Sequence, residues 1–107
     1  MQRKEIIKSI QTALRKIVPD ATAILYGSEA RGDARLDSDI DLLILLDKEK
    51  IEFEDMEAIT CSLYDIEAEY DYSVNIGSLI YTRKQWFDRP FRTPFFINVM
   101  NEGVRLQ

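Results

Sequence analysis

The order of the predicted elements indicates an α/β domain in which helices pack on a small sheet. Apolar residues at three- and four-residue steps predict helices, and short apolar runs bounded by turn residues predict strands. In chain order the elements are helix, strand, strand, helix, strand, helix, helix, which favours an α/β fold. The 107 residues suffice for one hydrophobic core. We therefore expect a single domain spanning residues 1–107.

Two longer helices are predicted from amphipathic spacing. The first runs from Gln2 to Val18, and Pro19 ends it because proline cannot continue the hydrogen-bond ladder. The second runs from Asp55 to Tyr70 and turns acidic side chains outward. The predicted inward positions are Ile6, Ile7, Ile10, Leu14 and Ile17 in the first helix and Met56, Ile59, Leu63, Ile66 and Tyr70 in the second.

Three strands are predicted from apolar runs. A short strand at Ala21–Tyr26 ends at Gly27, and Ser38–Asp47 is the strongest prediction because six of its ten residues are Ile or Leu. The third strand is Tyr72–Tyr81. The segment 28–38 between the first two strands reads as a loop or a short helix.

Two short helices near the C-terminus are predicted from their caps. Thr82 and Gln85 have the spacing of a capping box. Thr93 followed by Pro94 is typical of a helix start, and Gly103 of a helix end.

The composition excludes several kinds of chemistry. One cysteine, Cys61, and no histidine exclude a disulfide scaffold, a zinc finger and every nucleophile that needs an imidazole base. Cys61 is predicted to be a small core or boundary residue, since no histidine can activate it. Any reaction must therefore use carboxylates, hydroxyls, amides and bound ions.

The charge distribution excludes simple binding of nucleic acid through a basic face. The net charge is −5, and residues 29–71 carry fifteen acidic groups against four basic ones. Neutralising phosphates requires clustered Lys and Arg. The longest apolar run is far below the roughly 20 residues of a membrane span, and nothing at the N-terminus resembles a signal peptide, so we expect a cytoplasmic protein without a membrane anchor.

One group of residues stands out from this background. Gly27 and Ser28 follow the first strand, and Asp39-Ile40-Asp41 opens the second. Residues two apart on a strand point to the same side, so Asp39 and Asp41 present two carboxylates about 7 Å apart at the backbone. Ile40 between them points into the core.

This group suits a nucleoside triphosphate and its metal. Two neighbouring carboxylates repel each other, and Mg²⁺ neutralises such a pair while keeping open positions for phosphate oxygens. Gly27 allows close approach of a backbone, and Ser28 offers a hydroxyl and an amide at a helix start. The alternative is that Asp39 is a turn residue after Ser38 and Asp41 a surface residue of an edge strand.

Residues Ile24 to Leu45, ILYGSEARGDARLDSDIDLLIL, closely resemble the signature of the minimal nucleotidyltransferases, small members of the DNA polymerase β-like superfamily. The resemblance implies a polymerase β palm-like fold, a small mixed sheet flanked by helices. It also implies Mg²⁺-dependent transfer of a nucleoside monophosphate from a nucleoside triphosphate, with ATP expected, to a protein or other hydroxyl acceptor. Pyrophosphate is then released.

The resemblance also implies roles for individual residues. Asp39 and Asp41 would be the catalytic residues that ligate the metal, one ion or a pair. Gly27 and Ser28 would hold the phosphates, and Arg31 would belong to the nucleotide-binding helix. Many such proteins are antitoxins paired with a HEPN-domain toxin, which they nucleotidylate or mask, so a HEPN partner is expected.

One departure from the family pattern leaves two hypotheses open. Active members add a third carboxylate from the following strand, near Asn75 or Gly77 here, and no acid lies between Tyr72 and Tyr81. Asn75 cannot take a proton, and the nearest acid, Asp71, is expected in the preceding turn. The protein is either a nucleotidyltransferase or a catalytically weakened module that binds a nucleotide or masks a partner.

The C-terminal part combines aromatic and basic residues. Trp86, Phe87, Phe91, Phe95 and Phe96 are interspersed with Arg and Lys, which is compatible with core packing or with a contact surface. We expect the segment from Trp86 to Phe96 to contribute to a homodimer or to a complex with a helical partner. Trp86, Phe91 and Arg92 are its expected central residues.

Overall fold

The structure is a computed structural model that describes residues 2–35 and 38–107. Leu36 and Asp37, which belong to the quoted motif, lie outside the described residues, as does Met1. The helices are α1 (Gln2–Ile17), α2 (Ser28–Arg31), α3 (Phe53–Glu69), α4 (Arg83–Phe87) and α5 (Pro94–Glu102). The strands are β1 (Thr22–Tyr26), β2 (Ile40–Leu46), β3 (Ile76–Thr82) and β4 (Val104–Arg105).

The four strands form one mixed sheet in the order β3-β2-β1-β4. Strand β2 pairs antiparallel with β1 and parallel with β3, and β4 adds antiparallel to the far side of β1. Helices pack on both faces. This confirms the predicted fold class, a small mixed sheet flanked by helices.

The two faces of β2 belong to different hydrophobic clusters. Ile40, Leu42, Ile44 and Leu46 face the larger cluster, which the inward sides of α1 and α3 cover. Leu43 and Leu45 face a smaller cluster with Trp86, Phe96 and Val99 from α4 and α5. Asp41 shares this second face because side chains alternate along a strand.

The predicted helices lie where the spacing placed them, with two errors at single residues. Ile6, Ile10 and Leu14 of α1 are buried, and so are the inward residues Ile59, Leu63 and Ile66 of α3. Met56, predicted to point inward, is exposed, and Cys61, predicted as a core or boundary residue, is exposed too. Both residues lie to the side of the stripe that Ile59, Leu63 and Ile66 bury, and helical spacing alone did not fix the edges of that stripe.

Strand β3 begins later than predicted, and β4 was missed. Asp71 and Tyr72 have positive φ angles of 58° and 56° and form a turn after α3, so the strand starts only at Ile76. Strand β4 has two residues, and such a short piece leaves no periodic signal.

Both predicted caps near the C-terminus are confirmed. The Thr82 hydroxyl accepts a hydrogen bond from the Gln85 amide, and the Gln85 side chain accepts one from the Thr82 amide. The Thr93 hydroxyl caps α5 at the Phe96 amide. No helix in the described part of the chain is long and apolar enough to cross a membrane.

Trp86 is not a surface residue. It is fully buried, stacks on Phe96 with ring centroids 4.9 Å apart, and donates its indole N–H to the Met100 sulfur at 3.4 Å. The expectation that it lies centrally in an interface was wrong, because the ring supplies the core between the sheet and α4 and α5. Phe91 is exposed, and its part in an interface stays a prediction.

Candidate active site

The strand register brings the two halves of the motif together. Tyr26, the last residue of β1, pairs with Asp41 on β2, and Asp41 pairs with Gly77 on β3. The turn that begins at Gly27 therefore starts beside the Asp41 carboxylate. Ile40 is fully buried on the opposite face, as the alternation predicted.

Gly27 makes the closest approach to Asp41. A Cβ atom at Gly27 would lie 2.8 Å from Oδ2 of Asp41, which no side chain tolerates without a shift. Its φ of 74° and ψ of −148° also fall in a region that only glycine adopts readily. A residue with a side chain would therefore displace the carboxylate or the turn.

The turn continues into the short helix α2, which carries Ser28 and Arg31. Helix α2 ends at Gly32, whose φ is 80°. The Arg31 side chain is half exposed and lies 3.5 Å from an Asp33 oxygen and 3.8 Å from a Glu102 oxygen. Such long, exposed ion pairs hold a side chain weakly, so Arg31 is free to turn toward an anion.

Asp39 and Asp41 differ in their surroundings. Asp39 is exposed just before β2, whereas Asp41 is half-buried within the sheet. Burial, and secondly the charge of Asp39, raise the pKa of Asp41. The pKa of Tyr26 is raised by burial and then by the charges of Asp41 and Tyr81. The site thus concentrates negative charge.

These observations decide against the view of Asp41 as a surface residue of an edge strand. Strand β2 lies between β1 and β3, and the Asp41 carboxylate is wedged between the Gly27 turn and Gly77. Two neighbouring carboxylates, one of which has a pKa raised by burial and secondly by the charge of the other, suit a divalent cation. Mg²⁺ is commonly held by one or two carboxylates together with substrate phosphates, so the donor set fits this ion.

The register also shows which residue of β3 lies beside Asp41. Gly77 lies directly beside Asp41, and a Cβ there would sit 3.6 Å from Oδ1 of Asp41, an ordinary contact. The carbonyl of Asn75 accepts a hydrogen bond from the Ile40 amide at 2.8 Å, and its side chain is exposed. Asp71 lies in the turn after α3, as expected. Among the described residues, no group of three acidic side chains is placed to hold a metal.

One contributor to the site escaped the sequence analysis. Arg3 of α1 is buried; its Nε donates to Oε1 of Glu29 at 2.8 Å, and its Nη2 forms an ion pair with the same oxygen at 2.7 Å. Its Nη1 donates to the Ser38 carbonyl at 2.7 Å. Glu29 follows Ser28, and Ser38 precedes Asp39, so one guanidinium fixes both halves of the motif. The available signal was the position of Arg3 three residues before Ile6, on the buried stripe of α1.

A cleft of about 240 Å³ opens beside the Gly27 turn, between the end of β1 and α5. Its walls include Tyr26 and Phe95, whose rings meet edge to face with centroids 5.4 Å apart. A larger depression of about 560 Å³ lies between α1 and α3, on the far side of the sheet. The smaller cleft borders the motif; its lining residues are Tyr26, Gly27, Arg31, Phe95, Asn98, Val99 and Glu102.

Comparisons with known proteins give two matches at the level of sequence. Residues 7–92 match the family model described as "Nucleotidyltransferase domain". The chain is 33% identical over 110 residues to a Methanocaldococcus jannaschii protein named "Putative protein adenylyltransferase MJ0141", covering 99% of this chain and all of that protein.

Two solved structures share the fold. One is described as the crystal structure of a toxin-antitoxin with AMP-PNP, at a TM-score of 0.59 and 22% identity, covering 94% of this chain and 72% of that one. The other is a tri-AMPylated Shewanella oneidensis HEPN toxin in complex with an MNT antitoxin, at a TM-score of 0.55 and 20% identity. It covers all of this chain and 72% of that one.

Proposed function

Because the chain belongs to the nucleotidyltransferase domain family, we propose that it transfers AMP from Mg²⁺-bound ATP to a hydroxyl group of a protein partner. The name of the M. jannaschii relative supports a protein acceptor, and the structural neighbour with AMP-PNP supports ATP. The second neighbour supports a HEPN-domain toxin as the partner.

The observation that carries this proposal is the contact between Gly27 and Asp41. The 2.8 Å separation at the Cβ position joins a turn suited to phosphates to a carboxylate suited to a cation. A triphosphate lying along the Gly27-Ser28 turn would reach the carboxylates with its α-phosphate. Neither half alone would specify a nucleotide, because isolated glycine turns and acidic pairs are common.

Each residue then has a separate task. Asp39 and Asp41 would hold Mg²⁺, which when bound neutralises charge on the phosphates. The amide and hydroxyl of Ser28 and the Arg31 guanidinium would orient the triphosphate. Arg3 keeps the two halves in register through Glu29 and Ser38. The acceptor oxygen bonds to the α-phosphorus, the bond to the β-phosphate oxygen breaks, and pyrophosphate leaves.

The acceptor proton has no evident carboxylate to receive it. Gly77 occupies the position where a third acid would fit, so the proton of the acceptor passes to solvent. Without a carboxylate base the transfer should be slow. The same feature supports a second candidate function, in which the protein binds a nucleotide and covers its partner without transferring AMP. The glycine at position 77 is the specific observation behind that candidate.

The decisive experiment incubates the protein with α-labelled ATP, Mg²⁺ and a cognate HEPN-domain protein, and follows label on the acceptor. We expect label with wild type, and none with Asp41→Asn or with EDTA. Lys84→Gln, which changes an exposed residue of α4, is the matched control, and this variant should transfer label as wild type does. Equal labelling by wild type and Asp41→Asn, or no labelling by either, would contradict transfer at this site.

A second variant separates the two candidate functions. Gly77→Asp introduces a carboxylate at a position where the Cβ atom would lie 3.6 Å from Oδ1 of Asp41, and Gly77→Asn offers nearly the same volume without the charge. If the missing base limits the rate, the Asp variant should transfer AMP roughly 10²-fold faster than the Asn variant. If wild type is inert and Gly77→Asp becomes active, the masking function describes the natural protein.

A further inference from the structure

Strand β3 is an edge of the sheet, and its outer side is open in a defined window. The Ile40 amide donates to the Asn75 carbonyl, and in a parallel ladder this directs the backbone groups of Gly77, Leu79 and Tyr81 toward β2. The amides of the alternate residues, Ile76, Ser78, Ile80 and Thr82, therefore point away from the sheet.

Side chains cap two of these four outward amides. Glu67 Oε2 accepts from the Ile76 amide at 2.7 Å, and Gln85 Oε1 accepts from the Thr82 amide at 2.9 Å. For the amides of Ser78 and Ile80, the described residues supply no hydrogen-bond partner. Within the part of the chain that the structure describes, the outer edge of β3 therefore has two unpaired amides, those of Ser78 and Ile80, and the outward amides on either side of them are bonded to side chains.

The edge lacks the usual protection against pairing. Natural edge strands carry charges, prolines or bulges that prevent another strand from adding. Strand β3, IGSLIYT, has none of the charges or prolines and keeps a continuous register with β2. A bare edge of this kind is expected to be covered.

An exposed apolar stripe on α3 runs beside the same edge. Phe53, Met56, Thr60, Tyr64 and Glu67 follow one another at three- and four-residue steps, so they share one side of the helix. The bond from Glu67 to Ile76 shows that this side faces the β3 edge. Phe53 is 73% exposed and Tyr64 is 56% exposed.

We propose that two copies of the chain pair through this edge, with β3 antiparallel to β3 and the α3 stripes in contact. Only Ser78 and Ile80 offer free amides, so Ser78 of one copy pairs with Ile80 of the other and Leu79 lies on the two-fold axis. In this register Gly77 lies opposite Tyr81 of the second copy. The dimer thus brings an aromatic residue next to the strand position that neighbours Asp41.

The surface fits a second copy better than an unrelated segment because it is self-complementary. A two-fold axis perpendicular to the sheet keeps both α3 helices on one face and turns their apolar stripes toward each other. The exposed aromatic and Met side chains at the edge, Phe53, Met56, Tyr64 and Tyr72, offer roughly 450 Å² per copy. With the strand backbone this approaches the roughly 800 Å² per partner of a stable interface.

The acidic charge of α3 opposes pairing, but we expect the repulsion to be smaller than the gain from the strand hydrogen bonds and the apolar contacts. The helix carries six acidic residues and no basic ones. Four of them, Glu54, Glu57, Asp65 and Glu69, are exposed, and salt screens the repulsion between exposed charges. Pairing should therefore strengthen as salt is added, whereas a basic partner would bind more weakly.

Amide hydrogen exchange tests the pairing without any substitution. A free edge protects Gly77 and Leu79 but leaves Ser78 and Ile80 to exchange, whereas the dimer protects all four consecutive amides. We expect exchange at Ser78 and Ile80 to slow on the order of tenfold as the concentration rises. An alternating pattern at every concentration would overturn the proposal, whatever the outcome of the AMP-transfer assay.

Matched variants locate the interface by light scattering. Wild type should weigh about 25 kDa, twice the 12.5 kDa of one chain. Ser78→Pro deletes one outward amide at a position where an edge strand tolerates proline, and Phe53→Lys charges the stripe; both should be monomeric. Two control variants should remain dimeric: Ser78→Ala, which keeps the amide, and Ile97→Lys, which changes an exposed residue of α5.

A wild type that stays monomeric up to millimolar concentration would refute the dimer. So would loss of the dimer in Ile97→Lys with retention in Ser78→Pro and Phe53→Lys, which would move the interface to α5. If the amides of Ser78 and Ile80 became protected only after a HEPN-domain protein was added, that partner, and not a second copy of the chain, would bind the β3 edge.

Discussion

The seven residues of strand β2 alternate between two faces of the sheet, and the two faces differ in how completely helices cover them. On one face Ile40, Leu42, Ile44 and Leu46 are buried against α1 and α3. On the other, Leu43 and Leu45 are buried against α4 and α5, while Asp41 stays half-buried at the end where the covering helices stop. The first face is therefore an unbroken part of the core, whereas the candidate site lies at the end of the second face.

This difference shows how a small domain can hold charged groups in its central strand. A carboxylate in the middle of either cluster would be costly to bury. Asp41 is the second residue of the strand, where its neighbours Ile40 and Leu42 are fully buried but its own side chain is only partly buried. The strand thus fixes the carboxylate position without enclosing the charge.

The largest expected effect contrasts adjacent leucines on the two faces. Leu42→Ala should lower the free energy of unfolding by about 4 kcal/mol and Leu43→Ala by about 2 kcal/mol, within the range for buried leucines. The smaller cluster has exposed neighbours such as Phe87 and Phe95 that can settle into a cavity. Urea unfolding monitored by circular dichroism measures both values; a larger loss for Leu43→Ala would reverse our ranking of the faces.

A smaller effect separates two glycines with positive φ. Gly32→Ala meets no atom within 4 Å and should cost about 1 kcal/mol from backbone strain alone. Gly27→Ala adds the clash with Asp41 and should cost about 2–3 kcal/mol and abolish AMP transfer. Thermal unfolding and the labelling assay together check this pair. Retained transfer by Gly27→Ala would mean that the turn does not position Asp41.

The smallest effect concerns the charge of Asp41 in the metal-free protein. Its pKa is raised on folding, so ionisation favours the unfolded state as pH rises from below the unfolded value of about 4 through the folded value. Asp41→Asn should therefore stabilise the protein at pH 7, by less than about 1 kcal/mol because the group is partly solvated. Below the unfolded pKa this gain should vanish.

The control for this prediction is Asp39→Asn, which removes only the lesser cause of the raised pKa of Asp41. It should give a smaller gain at pH 7 in EDTA. Melting temperatures at pH 3 and pH 7 for the three proteins provide the measurement. A gain that persists at pH 3 would point to packing of the amide rather than to charge.

The sequence by itself determined most of the local elements and indicated a candidate site. Helical spacing placed α1 and α3, cap residues placed α4 and α5, and a run of Ile and Leu placed β2, because these signals act within a few residues along the chain. The motif from Gly27 to Asp41 was likewise recognisable as a candidate site from its residue types and spacing, although only Asp41 lies within β2 and Asp39 precedes it.

Tertiary structure alone decided what depends on contacts between distant segments. The strand register set Gly77 beside Asp41, and the packing of α1 brought Arg3 to Glu29 and Ser38. The burial of Trp86, the exposure of Cys61 and the open edge of β3 depend in the same way on which elements become neighbours. Periodicity predicts whether a side chain points inward or outward. Which neighbouring element covers that side chain, if any, is decided only when the elements pack together.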